Sequence, residues 1–194
     1  MFVQPMGIHD VLDLEITLRH ITPPIRRRLH VAAAFQLDVL HHVIQIAFGW
    51  EDQHLHAFHV GDLVFAAVDE EDDDAALVID EAAAPLGAVA RVGQSFEYRY
   101  DFGDDWVHEV KVLGVVSQPK APLQCVDGAR ACPLEDCGGP PGYEELVKAL
   151  SNKRHPRHAE IKEWVGHKYD PEKLDLKATN RKLKQLMNEL LSGV

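Results

Sequence analysis

Three short stretches carry side chains whose types and spacing could do chemistry. The first runs from Gly49-Trp50 to His59 and holds His54 and His56, two residues apart. On a strand, alternate side chains share a face, so this pair could hold one metal ion. The same spacing also serves a pair of surface or hydrogen-bonding histidines. The second stretch, Tyr100 to His108, contains Asp101, Gly103, Asp104, Trp106 and His108. Its Asp-Phe-Gly triplet matches the kinase magnesium motif in letters only, because neither a Gly-rich loop nor a His-Arg-Asp motif accompanies it. Its composition predicts a hairpin corner instead, with Gly103 at positive φ, aspartates capping the turn and Trp106 closing the end of the core. The third stretch holds all three cysteines, Cys125, Cys132 and Cys137, with Glu135 and Asp136 between the last two. Three thiolates and one histidine, from His54, His56 or His108, would make a structural zinc site. No Cys-x-x-Cys knuckle is present, and buried thiols acting as small hydrophobes fit the loop equally well. A loop this rich in Gly and Pro must be held by packing on the Trp106 hairpin or by a metal clip. The clip predicts that the cysteines and the histidines converge.

Other chemistries leave no trace. The serines stand at 95, 117, 151 and 192, none within a Gly-x-Ser-x-Gly elbow. A P-loop and a dinucleotide fingerprint are also missing. Lys and Arg number 20 against 31 Asp and Glu, a net charge of −11. The imbalance is uneven: residues 1–150 carry a net −15 and residues 151–194 a net +4. The acidic body disfavours general binding to nucleic acid. The basic end keeps a smaller version of that function open through Lys173, Lys177, Arg181, Lys182 and Lys184. Its alternative is a solvated helical face.

These groups need elements to position them. A chain of 194 residues, 46% of them hydrophobic, is expected to form one domain with a sizeable core. We expect a mainly sheet-forming body over 1–117, a Cys/Gly/Pro-rich loop over 118–142 and a helical part over 143–194. Leu12, Leu14, Ile16 and Leu18 alternate as on a half-buried strand. After Pro23-Pro24, Ile25 to Val31 reads as a second strand with Ile25, Arg27 and Leu29 on one face. Leu37, Leu40, Val43, Ile44 and Ala47 then take helical spacing up to Gly49. His54–Val60 and Leu63–Val68 read as strands joined at Gly61-Asp62, followed by the acidic run Asp69–Asp74, a solvated loop. Phe96, Tyr98, Tyr100 and Phe102 share a face of a strand whose hairpin partner starts at Trp106. Helices are predicted over Tyr143–Leu150, Pro156–Gly166 and Leu176–Leu191, the last with Leu183, Leu186, Leu190 and Leu191 as its apolar stripe. The order predicts an α+β fold, a mixed or antiparallel sheet covered by the first helix. No run approaches the roughly 20 apolar residues of a membrane span, and the start lacks signal-peptide character, so a cytoplasmic setting is expected.

Read together, the motifs resemble a known family. Pro23-Pro24-Ile25-Arg26-Arg27-Arg28, Gly49-Trp50 with His54-Leu55-His56, and Tyr100-Asp101-Phe102-Gly103-Asp104 with Trp106 and His108 occur in order. Cys132-Pro133, Glu135-Asp136-Cys137-Gly138-Gly139, Gly142-Tyr143, and Tyr169-Asp170-Pro171-Glu172 with Asp175-Leu176 and Asn180 follow. This combination, spanning residues 11–186, resembles the plasmid pRiA4b ORF-3-like family, also met as a TnpR-like passenger protein of insertion elements. The chain departs from it at Arg26 and Pro141, where the family usually has Trp. The resemblance implies an α+β fold and no assigned chemistry. The resolvase label does not carry over, because serine recombinases need a serine near their start and none precedes Ser95 here. Three function classes follow. One is an accessory or interaction protein of plasmids and mobile elements, with an unknown protein or small-molecule partner and no catalysis. Another is a metal-dependent hydrolase using His54, His56, Asp101, Asp104 and His108. The third is a nucleic-acid-binding module.

Overall fold

A computed structural model describes residues 7, 9–68, 78–166 and 169–192. The acidic run Asp69–Asp74 lies outside them. The alternation of β1 (Val11–Leu18) buries Leu12, Leu14, Ile16 and Leu18 almost completely. It pairs antiparallel with β2 (Arg26–Ala32), whose inward residues include Arg27, Leu29 and Val31. Helix α1 (Leu37–Phe48) lays Leu37, Leu40, Val43, Ile44 and Ala47 into the core. It stops at Gly49, whose φ of 94° suits the left-handed C-cap that glycine adopts without a Cβ penalty.

Strands β3 (His56–Val60) and β4 (Leu63–Ala66) form the expected hairpin. A short β5 (Ile79–Asp80) adds to β4 in parallel, and a single helical turn α2 (Leu86–Val89) follows. Strands β6 (Ser95–Tyr100) and β7 (Trp106–Val115) pair antiparallel. β8 (Leu123–Ala129) then lies along β2. The result is one mixed eight-stranded sheet in the order β5-β4-β3-β6-β7-β1-β2-β8. Helices α3 (Gly139–Ser151), α4 (His158–Val165) and α5 (Leu176–Ser192) complete an α+β fold. Among the described residues, no helix is long and apolar enough to cross a membrane.

Four details differ from the sequence reading. The 118–142 segment is not all irregular, since β8 buries Leu123 and Cys125 against the sheet. Helix α3 starts at Gly139 rather than Tyr143, because Pro140 and Pro141 fall in a first turn whose N–H groups have no intrahelical partner. Strand β6 ends at Tyr100, and Phe102 is 55% exposed instead of sharing the face of Tyr98. The left-handed residues of the following turn are Asp101 (φ 53°) and Asp105 (φ 55°), not Gly103.

The stripe of α5 is shorter than expected. Leu183 is buried and Leu186 only partly so, whereas Leu190 and Leu191 are exposed. Leu183→Ala should therefore lose about 2–5 kcal/mol in urea denaturation. Leu190→Ala should stay within about 0.5 kcal/mol. Equal losses at both positions would mean that the end of the helix packs more deeply than described.

Candidate metal centre

The end of α1 and the β6–β7 corner bring the chemistry together. Gly49 turns the chain so that Trp50 re-enters the core, where its indole N–H donates to the Pro133 carbonyl at 3.1 Å. That bond ties the segment after α1 to the cysteine-containing loop. The loop is fastened at several further points. The Tyr169 hydroxyl donates to the Cys132 carbonyl at 2.8 Å, and Arg130 bridges the Pro23 carbonyl and Glu172. The Asp104 carboxylate accepts the Gly138 N–H at 3.0 Å. Gly139, at φ 65°, sits so close to the Asp104 backbone that a Cβ would run into its carbonyl. Packing and hydrogen bonds to the Trp106 hairpin and to Trp50 therefore hold the loop.

This fastening delivers Glu135 and Asp136 to His54. The Nε2 of His54 lies 3.2 Å from Asp136 Oδ1, 3.6 Å from Asp101 Oδ2 and 3.9 Å from Glu135 Oε2. Each of two carboxylates uses one oxygen for positioning. Asp101 Oδ1 accepts the N–H groups of Gly103 and Asp104 at 2.9 and 3.2 Å. Glu135 Oε1 accepts the Glu51 N–H at 2.9 Å and the Tyr100 hydroxyl at 3.0 Å. Tyr100 in turn accepts the Gln53 N–H, and burial raises its phenol pKa, which keeps it a donor to Glu135. The oxygens left over face His54.

Two atoms in this group are anomalous. His54 Nε2 and Glu135 Oε2 are buried from solvent and make no hydrogen bond. Buried polar atoms are nearly always paired, so such atoms in one place need an explanation. Charge adds to it: among the described residues, Asp101, Glu135 and Asp136 have no Lys or Arg partner. Their side chains are 9%, 15% and 67% exposed, so water cannot fully screen the first two. Asp101 and Asp136 also hold positive φ, at 53° and 55°. Such strain in non-glycine residues concentrates at functional sites. Donors about 2.1 Å from a common ion at tetrahedral or octahedral angles lie roughly 3.0–3.5 Å apart. One donor atom each from His54, Asp101 and Asp136 lies within 4.8 Å of the others.

The remaining sequence candidates fall elsewhere. His56 does not join His54, because His54 precedes the strand and alternation does not govern it. His56 pairs with Glu81 at 2.9 Å and stacks on His41, their ring centroids 3.5 Å apart and their planes 4° from parallel. His41 contacts the Tyr98 hydroxyl at 2.7 Å and Asp52 at 2.8 Å. Burial, with His56 beside it, pushes its pKa down to about 3. His42 and Asp52 complete a second three-donor group with His41. The sequence reading missed it; the signal was a histidine at a helix position flanked by core residues.

His108 is fully buried on β7, its Nδ1–H donating to the Tyr98 carbonyl at 3.2 Å and its ring edge-on to Phe48 and Trp50. Burial pushes its pKa down to about 3. The cysteines do not assemble with the histidines. Among the described residues, no three-donor set within 4.8 Å contains one. Cys125 and Cys132 are buried, and burial raises all three thiol pKa values, to about 11 for Cys125 and about 12 for Cys137. They behave as protonated small hydrophobes. Trp106 is wholly buried and structural, as is the ring of Tyr100.

A cleft of about 590 Å³ opens beside the carboxylates, lined among others by Trp50, Glu135, Asp136, Trp164, Lys173 and Lys182. A second cavity of about 590 Å³ is lined by His41, His54, His56 and Glu81. Lys177, Arg181 and Lys184 are exposed and do not line the cleft.

Comparison with known proteins adds kinship. The family model for plasmid pRiA4b ORF-3-like proteins matches residues 10–178. The chain is 38% identical over 162 residues to the uncharacterized protein y4hQ of Sinorhizobium fredii, covering 82% of each. The crystal structure of a protein of unknown function from Methanosarcina mazei Go1 is similar at TM-score 0.80 and 29% identity, covering 88% of this chain and 98% of that one.

Proposed function

The chain belongs to the plasmid pRiA4b ORF-3-like family, and from that premise we propose that it is a divalent-metal protein equipped for hydrolysis. His54, Asp101, Asp136 and Glu135 would be its ligands. One observation carries this reading: two buried polar atoms without hydrogen bonds, on His54 and Glu135, face each other within a set of carboxylates that no Lys or Arg neutralises. A cation would satisfy both atoms and balance the charge. One imidazole with carboxylates suits Mn²⁺, Fe²⁺ or Zn²⁺ rather than a thiolate-bound zinc. A metal held there supplies a Lewis acid and an activated water. The chain's own residues do the rest. Tyr100 and the Glu51 N–H would hold one oxygen of Glu135, and the Gly103 and Asp104 N–H groups would hold Asp101 Oδ1, leaving the other oxygen of each carboxylate for the ion. An accessory role on plasmids or mobile elements fits the family's name and is compatible with such a centre.

Isothermal titration of chelator-treated protein with Mn²⁺ and with Zn²⁺ tests the proposal. One ion per chain is expected, with a rise in Tm. His54→Ala and Glu135→Gln should each weaken binding more than about tenfold, and Tyr100→Phe, which loses only the outer hydrogen bond, about tenfold. Wild-type protein that binds neither ion, or affinity unchanged in His54→Ala, would sink the reading.

A further inference from the structure

The cleft beside the carboxylates joins three features that the metal reading leaves unused. One is Trp164, 54% exposed, whereas Trp50 and Trp106 are buried. It lines the cleft from α4. Another is a pair of cations, Lys173 and Lys182, which line the same cleft and form no ion pair among the described residues. Glu51 and Asp175 share the lining, but the Glu51 carboxylate accepts the Gln53 amide N–H and the Asp175 carboxylate accepts the Ala178 N–H. The third is the position of the cleft. It lies where the basic C-terminal part, net +4, meets the acidic body, net −15.

From these we propose that the cleft binds a nucleoside monophosphate, its phosphate between the metal centre and Lys173 and Lys182, its base against Trp164. This rests on the metal reading and names its substrate class. In an acidic protein, two lysines on the wall of a cleft that Glu135 and Asp136 also line would, together with a metal held by those carboxylates, provide a local field for a compact anion. A metal on one side and ammonium groups on the other are the usual neutralisers of a phosphate ester. An exposed indole lining a concavity suits a flat ring, since every base has a π-face that can stack on an aromatic. A cavity of about 590 Å³ falls within the range of small-ligand sites and has room for one nucleotide, not a strand.

Titration calorimetry of the full chain with AMP, adenosine and inorganic phosphate, each with Mn²⁺ and in chelator, provides the test. AMP should bind tighter than either fragment, and tighter with Mn²⁺ than without. Trp164→Leu should weaken AMP about tenfold and leave phosphate unchanged. Lys182→Gln should weaken AMP and phosphate but not adenosine. Both side chains are exposed, so neither variant threatens folding. If Mn²⁺ binds and AMP binds no better than its fragments, the cleft proposal falls and the metal centre stands. If AMP binds in chelator with both variant effects while Mn²⁺ does not bind, the metal reading falls and the cleft assignment survives without it. An AMP affinity indifferent to Trp164→Leu overturns the assignment. So does an oligonucleotide that binds better than AMP and loses affinity steeply with salt, because that would place the contact on the exposed face of α5.

Discussion

Between pH 6.5 and pH 5 the protein is expected to lose about 3 kcal/mol of stability, roughly half to each of His41 and His108. Both are deeply buried, and desolvation holds each near a pKa of about 3. His56, stacked on His41, lowers His41 further, against the pull of Asp52. An unfolded histidine titrates near 6.5. As pH falls through that value the unfolded chain takes up two protons that the folded chain refuses, so acid favours unfolding. The loss begins near pH 6.5, steepens to about 1.4 kcal/mol per pH unit for each histidine, and continues down to the folded value near 3. Urea denaturation at half-unit steps above pH 5, before most carboxylates titrate, isolates the effect. His108→Phe, which keeps a ring between Phe48 and Trp50, should remove about half of the slope. A stability flat from pH 6.5 to pH 5 would show that these rings accept protons in place.

Replacing Arg27 by Met should cost on the order of 5 kcal/mol. Arg27 is 1% exposed and, among the described residues, has no carboxylate partner. Its guanidinium donates instead to the carbonyls of Ala47, Arg26 and Ala129 at 2.7, 2.7 and 3.0 Å, and lies 5.0 Å from the ring centre of Phe48. One side chain thus joins the end of α1, β2 and β8. Methionine keeps the stem but strands three carbonyls, each worth about 1–3 kcal/mol when buried unpaired. Lysine, reaching fewer of them, should recover only part of the loss. An Arg27→Met variant as stable as wild type in chemical denaturation would mean that water replaces the guanidinium at those carbonyls.

Arg27 also shows what was legible in the sequence. Alternation put it on the inner face of β2, between Ile25 and Leu29, and the structure buries it there. The same periodic logic located β1, α1, the β3–β4 hairpin and β6–β7, because each has one face against the core. It failed where the pattern was short or the backbone departed from regularity. β8 gave only Leu123 and Cys125 as buried alternates, inside a segment dominated by Gly and Pro. Phe102 continued the alternation on paper, but the left-handed Asp101 turned it outward.

The candidate site was legible as residues and not as an arrangement. His54, Asp101, Glu135 and Asp136 each stood in a motif. Yet His54 was paired with His56 and expected among the cysteines, because spacing within a motif was the only geometry available. What assembles the four is long-range: Trp50 on Pro133, Tyr100 on Glu135, and Gly139 against Asp104. None of these contacts leaves a periodic trace.

The strand order has a consequence for how the chain is made. β1 sits between β2, its neighbour in sequence, and β7, which is matched from Leu18↔His108 to Leu12↔Val115. The two halves of the sheet therefore cannot join until the nascent chain has passed residue 115. Until then the amino-terminal hairpin, with α1 beside it, waits with an open edge. Pairings so distant in sequence slow folding and prolong exposure to other chains. Truncations ending before β7 should collect in inclusion bodies, whereas the full chain closes that edge with its own later strand.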